Sequence, residues 1–353
     1  MIENKREILR KGTVIPAHPL ALNEDRSLDE LNQRALTHYY IDAGVGGLAV
    51  GVHTTQFEIR DPEFNLYDDV LRMASEEVVK RDVEKELIMI AGLAGPTEQA
   101  CNEARIAKKY NYDSVLLSMG HLPDYSEEEL LDRARKVAEI MPVFGFYLQP
   151  SAGGRILSFD FWKEFMQIEN VIAVKIAPFN RYQSIDVMNA VLLSPRWKDI
   201  TVYTGNDDNI VADLLTEYSL VVDGELRQKQ IVGGLLGHWS VWTQKAVELF
   251  EDIQAYRDGQ GSAHELLKRG THVTDTNAAF FDVRNNFKGC IAGINEVLAR
   301  QGLLKGNWCL LDKERLSADQ SEYIDLVYER YPELNDDQFV KENLEKWRGY
   351  ASK

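Results

Sequence analysis

Val171-Ile172-Ala173-Val174-Lys175-Ile176-Ala177-Pro178 is a short apolar run with one lysine near its centre. Its length and β-branched content predict a buried strand, closed by Pro178. Strand side chains alternate, so Val171, Ala173, Lys175 and Ala177 share one face, and Ile172, Val174 and Ile176 the other. Lysine is depleted in strands and is rarely buried without a partner. The large residues suit packing against helices. The small ones leave room around the amine.

Working outward, apolar strand-like runs recur about every thirty residues along the chain. They begin near Gly12, Gly46, Glu86, Ser114, Pro142, Val171, Ile200 and Gln230. Amphipathic stretches lie between them, such as Ser27 to Ala43, Thr97 to Tyr110, Ser126 to Ile140 and Trp242 to Tyr256. The first of these opens on Ser27-Leu28-Asp29-Glu30, a capping-box pattern. Strand–helix alternation of this kind predicts an α/β fold, a (β/α)8 TIM barrel. A doubly wound sheet binding a dinucleotide would need a glycine-rich fingerprint after its first strand, where Ala17-His18-Pro19-Leu20 stands instead. After about 259 the alternation stops and helical segments follow, near Ala263, Gly293, Ala318 and Asp337. The expected domains are a barrel over 1–258, with a short polar helix ahead of its first strand, and a C-terminal helical extension over 259–353 packed on it.

Composition narrows the function. Of 353 residues, 44% are hydrophobic and 27% charged, ordinary globular values. The net charge of −16 argues against nucleic acid and anionic membrane surfaces as partners. The three cysteines, Cys101, Cys290 and Cys309, form no metal-ligand pattern. Met1-Ile2-Glu3-Asn4-Lys5-Arg6 is charged and no apolar h-region follows it. No apolar run reaches membrane-spanning length. The expected localisation is cytoplasmic.

Barrel sites form at the C-terminal ends of the strands. These ends carry His18, then His53 with Thr54 and Thr55, His121, Tyr147 with Gln149, Lys175, Gly205-Asn206-Asp207-Asp208, and His238-Trp239. In the fifth strand Val143, Gly145, Tyr147 and Gln149 share a face, which Gly145 is expected to clear. A lysine amine in an apolar interior loses charge stabilisation and becomes a neutral nucleophile. It can attack a ketone to give a protonated imine, with Tyr147 as proton carrier and Thr54 or Thr55 holding a carboxylate. His18, His53, His121 and His238, with an aspartate, form the alternative of a metal-dependent hydrolase or lyase. They lack the close HxH or HExxH pairing of metal ligands, so no metal is expected.

These residues resemble the dihydrodipicolinate synthase / N-acetylneuraminate lyase family of Schiff-base barrels. Gly12-Thr13-Val14-Ile15-Pro16-Ala17-His18-Pro19 resembles its first strand, and Gly44 to Gly51 the run into its Gly-Thr-Thr-Gly-Glu carboxylate loop. Tyr147-Leu148-Gln149-Pro150 resembles its Tyr-Asn-x-Pro motif, and Lys175 follows Tyr147 by the family interval of 28 residues. Gly205-Asn206-Asp207 and Gly237-His238-Trp239-Ser240-Val241 resemble its later glycine segments. The resemblance implies a lyase, an aldolase or dehydratase, acting on a 2-oxo acid such as pyruvate or a keto-deoxy sugar acid. It implies no cofactor and a homotetramer or homodimer. It assigns catalysis to Lys175, Tyr147 and His121, the last in place of the synthases' second tyrosine, and substrate contacts to His53, Thr54, Thr55, Gly205, Asn206 and Trp239. The chain departs from the family in its longer loop after Thr55 and in Ala152, where the synthases have an arginine. These departures point to a divergent substrate or to a barrel that binds a 2-oxo acid without turnover.

Overall fold

The apolar runs supply every strand of an eight-stranded parallel sheet in the computed structural model, which describes residues 1–81 and 86–352. Along the chain these strands are β1 (Val14–Pro16), β2 (Gly47–Val50), β3 (Ile88–Leu93), β4 (Ser114–Ser118), β5 (Val143–Leu148), β6 (Val171–Ala177) and β7 (Thr201–Thr204). Two strands outside the sheet, β8 (Glu217–Val222) and β9 (Glu225–Gln230), intervene before the last one, β10 (Gly233–Leu236). The sheet order is β1-β10-β7-β6-β5-β4-β3-β2, and a parallel bridge between Ala17 and Ala49 joins its two ends. This is the strand order of a (β/α)8 barrel, and the near-continuous apolar burial of its strands is what a helix-covered parallel sheet requires. Contacts group the chain into two compact units, 1–13 with 88–235, and 14–87 with 236–353. These units do not follow a cut at residue 258.

In the first unit, α1 (Glu3–Lys11) ends at Gly12, whose φ of 89° favours glycine and whose missing Cβ leaves room for the carbonyl of Val232. Tyr203, buried on β7, donates to the carbonyl of Leu9 at 2.9 Å and ties that strand to α1. The second unit contains α2 (Glu30–Asp42) and α3 (Tyr67–Arg81). Asp29 caps α2 by accepting from Asn32 N, so the helix starts two residues later than a Ser27 cap would place it.

Between the remaining strands of the first unit lie α4 (Thr97–Lys109), α5 (Glu127–Ala138), α6 (Phe159–Phe165), α7 (Arg181–Leu193) and α8 (Ile210–Leu215). Ser126 and Glu129 form a reciprocal capping box on α5, and Asn180 accepts from two backbone amides of α7. The β8–β9 hairpin packs beside α7, where Arg227 donates to the carbonyl of Leu192 at 2.7 Å. Its turn is Asp223-Gly224, with φ of 52° and 81°, the pairing that a tight hairpin turn favours.

In the second unit, α9 (Thr243–Arg257) is followed by the C-terminal helices α10 (Ala263–Phe280), α11 (Cys290–Arg300), α12 (Gln320–Arg330) and α13 (Asp337–Ala351). The indole of Trp347 on α13 meets Tyr39 of α2 edge-on at 5.4 Å, and its Nε1 donates to Asp42 at 2.8 Å. Buried Asp336 accepts from the hydroxyl of Tyr39 at 2.7 Å, the amide of Gln301 at 2.7 Å and Gln244 N at 3.1 Å. These bonds satisfy both carboxylate oxygens, as a buried polar group requires. No helix among the described residues is long and apolar enough to cross a membrane.

Candidate active site

The strand pairing of the first unit decides what faces Lys175. Val143 pairs with Val171, but the register shifts by one residue immediately afterwards, so Phe144 pairs with Ala173 and Phe146 with Lys175. The lysine is 7% exposed, and its ammonium lies 4.4 Å from the centroid of the Phe146 ring. Gly205, after β7, flanks it from the other side. A Cβ there would meet Lys175 Cε and Ala177 Cβ, so this glycine keeps the space of the lysine stem.

Among the described residues no hydrogen bond or ion pair engages the Lys175 amine. Burial pushes its pKa down to about 8, against the opposing pull of the Asp207 carboxylate. Asp207 is itself buried, two residues beyond Gly205. A neutral amine is accessible here near physiological pH.

The same register removes Tyr147 from that face. Tyr147 pairs with Ile176, on the side of the sheet that α6 covers. Its ring lies 5.1 Å from Trp162, and its hydroxyl accepts from Leu157 N at 3.4 Å. Gly145 shares that side, and a Cβ there would meet the Phe165 ring. Its missing side chain therefore makes room for a helix, correcting the expectation of a cleared catalytic face. The interval of 28 residues would align Tyr147 with Lys175 only in an unshifted ladder.

Other expected residues are engaged elsewhere. His121 is exposed in the loop after β4, with φ of 56°, and its ring rests on Gly153. Asn206 is buried with its amide fully used: Oδ1 accepts from Phe179 N at 3.0 Å, and Nδ2 donates to Ser184 and Asp213. It lashes the end of β7 to α7 and α8. Trp239 is 2% exposed, packed edge-on against Phe250 at 6.3 Å, and is a core residue.

The threonine turn belongs to the second unit. Thr54 donates to the carbonyl of Ala17 at 2.8 Å. Thr55 donates to the carbonyl of His18 at 2.6 Å and accepts from Gly51 N and Val52 N at 3.0 and 3.2 Å. Both hydroxyls thus brace the turn against the end of β1. Half-buried His53 begins the turn, with its ring 6.0 Å from Phe57. Gln56 closes it at φ 70°, and its Oε1 accepts from Leu310 N at 2.6 Å. The family loop has glycine after its two threonines, so this positive φ supports matching Thr54-Thr55-Gln56 to Thr-Thr-Gly.

His18 is also committed. Its Nδ1 lies 2.9 Å from the Pro19 carbonyl and its Nε2 3.0 Å from Thr37 Oγ1, so the ring donates to the first and accepts from the second. Burial holds it neutral, with a pKa of about 4, and does the same to His238, which stacks on Phe280 at 5.7 Å. Among the described residues no three His, Cys, Asp or Glu side chains group as metal ligands.

A (β/α)8 barrel with a buried, pKa-depressed lysine on its sixth strand defines a class of candidate imine-forming barrels. The chain belongs to the dihydrodipicolinate synthetase family, whose sequence model matches residues 11–218, and members of this family are lyases of the class I aldolase type. A 4-hydroxy-tetrahydrodipicolinate synthase from Acaryochloris marina (strain MBIC 11017) is 26% identical over 182 residues, 49% of this chain and 60% of that protein. The match therefore spans less than two thirds of that relative's length. Among solved structures, dihydrodipicolinate synthase from Oceanobacillus iheyensis superposes with a TM-score of 0.73 at 17% identity, covering 93% of this chain and 99% of that one. N-acetylneuraminate lyase from Fusobacterium nucleatum, complexed with pyruvate, gives 0.71 at 19% identity, covering 92% and 99%. At these identities the likeness carries the fold.

Two residues bearing on the site, Phe146 and Gln56, were not singled out from sequence. Phe146 needed the register shift, which spacing does not reveal. Asp207 stands among the strand-end residues read from sequence, but its charge on the Lys175 amine emerges only from the structure. Gln56 was legible in principle, because it stands where the family motif has glycine.

Proposed function

We propose that this protein is a Schiff-base-forming lyase, an aldolase or dehydratase, acting on a 2-oxo acid through Lys175. One observation carries the proposal: a buried lysine with its pKa near 8 and no hydrogen-bond partner among the described residues. The neutral amine adds to the ketone carbon, and loss of water gives a protonated imine. The imine draws electrons from the adjacent C–C or C–H bond, which permits cleavage, addition or dehydration. Pyruvate, present in the solved N-acetylneuraminate lyase complex, is the first candidate, and a keto-deoxy sugar acid the second. A cytoplasmic homodimer or homotetramer is part of the same proposal, to be measured by light scattering.

The relay assigned to Tyr147 passes in this proposal to Asp207, whose charge bears on the amine. Asp207→Asn is expected to keep the covalent adduct and lose turnover. An equal loss of both would remove Asp207 from that role.

The decisive experiment is borohydride trapping with a panel of 2-oxo acids, the adduct mapped by mass spectrometry. Lys229 is an internal control: burial also pushes it down to about 8, but its amine donates to the carbonyl of Trp197 at 2.5 Å. Label at Lys175 and not at Lys229 supports the proposal. No label at Lys175 with any member of the panel sinks it.

Phe146 in the place expected for a tyrosine favours a second reading, a barrel that binds a 2-oxo acid without turning it over. Adduct formation and ligand-induced stabilisation without turnover across the panel would select it.

A further inference from the structure

At the N-terminal ends of β6 and β7, opposite the end that carries Lys175, lies a cavity of about 930 Å³. It opens between α1, the end of α5 and the α6–β6 connection, all within the first unit. Four arginines line it. Two are already paired at the surface, Arg10 with Glu3 at 3.1 Å and Arg135 with Asp132 at 2.6 Å.

The other two are half-buried and differ from each other. Arg196 donates to the backbone carbonyls of Ile168, Val171 and Met166, which locks its guanidinium at the base of β6. The guanidinium of Arg6, on α1, has no hydrogen-bond or ion-pair partner among the described residues, and its Nε is buried. Burial weakens Arg196 as a cation, the carboxylates of Asp199 and Glu169 oppose that, and the neighbouring charge of Arg6 adds to it. A buried donor left without an acceptor is costly, and more so when it is charged. The cavity's carboxylates, Glu139, Glu164, Glu169 and Asp199, are all exposed, and none pairs with Arg6.

We propose that this cavity binds a small hydroxylated oxyanion, a sugar phosphate or a sugar carboxylate, with its charged head on Arg6 and Arg196. A guanidinium offers a planar fork that matches carboxylate and phosphate oxygens. The exposed carboxylates can accept from the ligand's hydroxyl groups. The volume is in the range of sites that take small metabolites. Val171, whose carbonyl holds Arg196, precedes Lys175 by four residues, a separation of about 13 Å along a strand. The site is therefore separate from the amine, and occupancy does not depend on imine chemistry.

The test is isothermal titration of the full chain with glucose 6-phosphate, gluconate and glucose. At least one of the two anions is expected to bind, and glucose is not. Arg6→Gln should weaken binding at least tenfold, Arg6→Lys should retain part of it, and Arg10→Gln should stay within twofold of the parent. Binding to Lys175→Ala should match the parent, which separates this cavity from the amine site. Glucose 6-phosphate alone would identify a phosphate head, and both anions a carboxylate-tolerant site. Binding of neither anion at millimolar concentration, or equal binding to Arg6→Gln, overturns the proposal.

Discussion

The end of β6 and the Thr54-Thr55 pair of the turn after β2 treat their polar side chains in opposite ways. In the turn, Thr54 and Thr55 are buried and their hydroxyls are engaged with the backbone carbonyls and amides of Ala17, His18, Gly51 and Val52. At β6, Lys175 is buried and its amine bonds to no described residue, lying near a ring, a glycine and the charge of Asp207. Folding normally satisfies buried polar groups because leaving them unpaired is costly. A side chain already satisfied shapes the backbone around it. One left unsatisfied in a buried position is available for chemistry.

The comparison breaks most completely at Lys175. Lys175→Ala is expected to abolish borohydride labelling and any turnover, a loss of at least about a thousandfold given what covalent catalysis supplies. The cooperative unfolding transition should persist, because no hydrogen bond is lost. The parent protein should also label faster as pH rises through about 8, the value to which burial lowers the amine. The sign follows from the chemistry, since only the unprotonated amine attacks. At pH 7 about a tenth of such amines are neutral, against roughly one in three thousand for an unperturbed lysine. A labelling rate that keeps climbing to pH 10 would place the amine in an ordinary environment.

Gly205→Ala tests the space around the same amine. The added methyl would meet Lys175 Cε and Ala177 Cβ, and neither neighbour can withdraw without moving a strand or the lysine. Overpacking of this kind costs about 1–3 kcal/mol, and displacing the nucleophile should slow trapping by about ten- to a hundredfold. A variant that unfolds at the parent's temperature and traps at the parent's rate would show that the lysine stem has slack.

At the turn the expected damage is to stability. Thr55→Val removes one donor and one acceptor, leaving the His18 carbonyl and the amides of Gly51 and Val52 without their partner. The loss is about 1–3 kcal/mol, read as a lower denaturant midpoint with an unchanged m-value. If Thr55→Val instead keeps its stability and fails to form the adduct, the hydroxyl acts on substrate and the contrast with β6 is wrong.

How much of this was legible in the residues varies with the range of the interactions involved. Lys175 stood out because a lysine within a β-branched run conflicts locally with its surroundings. The barrel was legible because strand and helix periods alternate over the whole chain. The β8–β9 hairpin was missed although Asp223-Gly224 between alternating residues is a local hairpin signal. Most of α10 was also missed, where polar residues interrupt the apolar stripe, and so was α3, although Tyr67, Val70, Leu71 and Ala74 form such a stripe on it. Asn206 and Trp239 carry residue types common in binding sites, and only the folded contacts show that one is fully bonded and the other is core. Tyr147 failed for another reason. A one-residue shift between neighbouring strands leaves no mark on either strand's own sequence, yet it turns every later side chain to the other face.

Tyr147→Phe therefore gives the smallest expected effect. The hydroxyl accepts one bond, at 3.4 Å, from Leu157 N, a length at the weak end of the range. Deleting it should cost under about 1 kcal/mol, and the ring keeps its packing on Trp162. Trapping and turnover should fall less than tenfold, because the hydroxyl lies on the α6 side of a sheet whose opposite face carries the amine. General acid–base groups contribute about a hundredfold or more when they act directly. A loss of that size in turnover, with adduct formation intact, would mean that the tyrosine reaches the imine during catalysis and that β5 changes register with substrate bound.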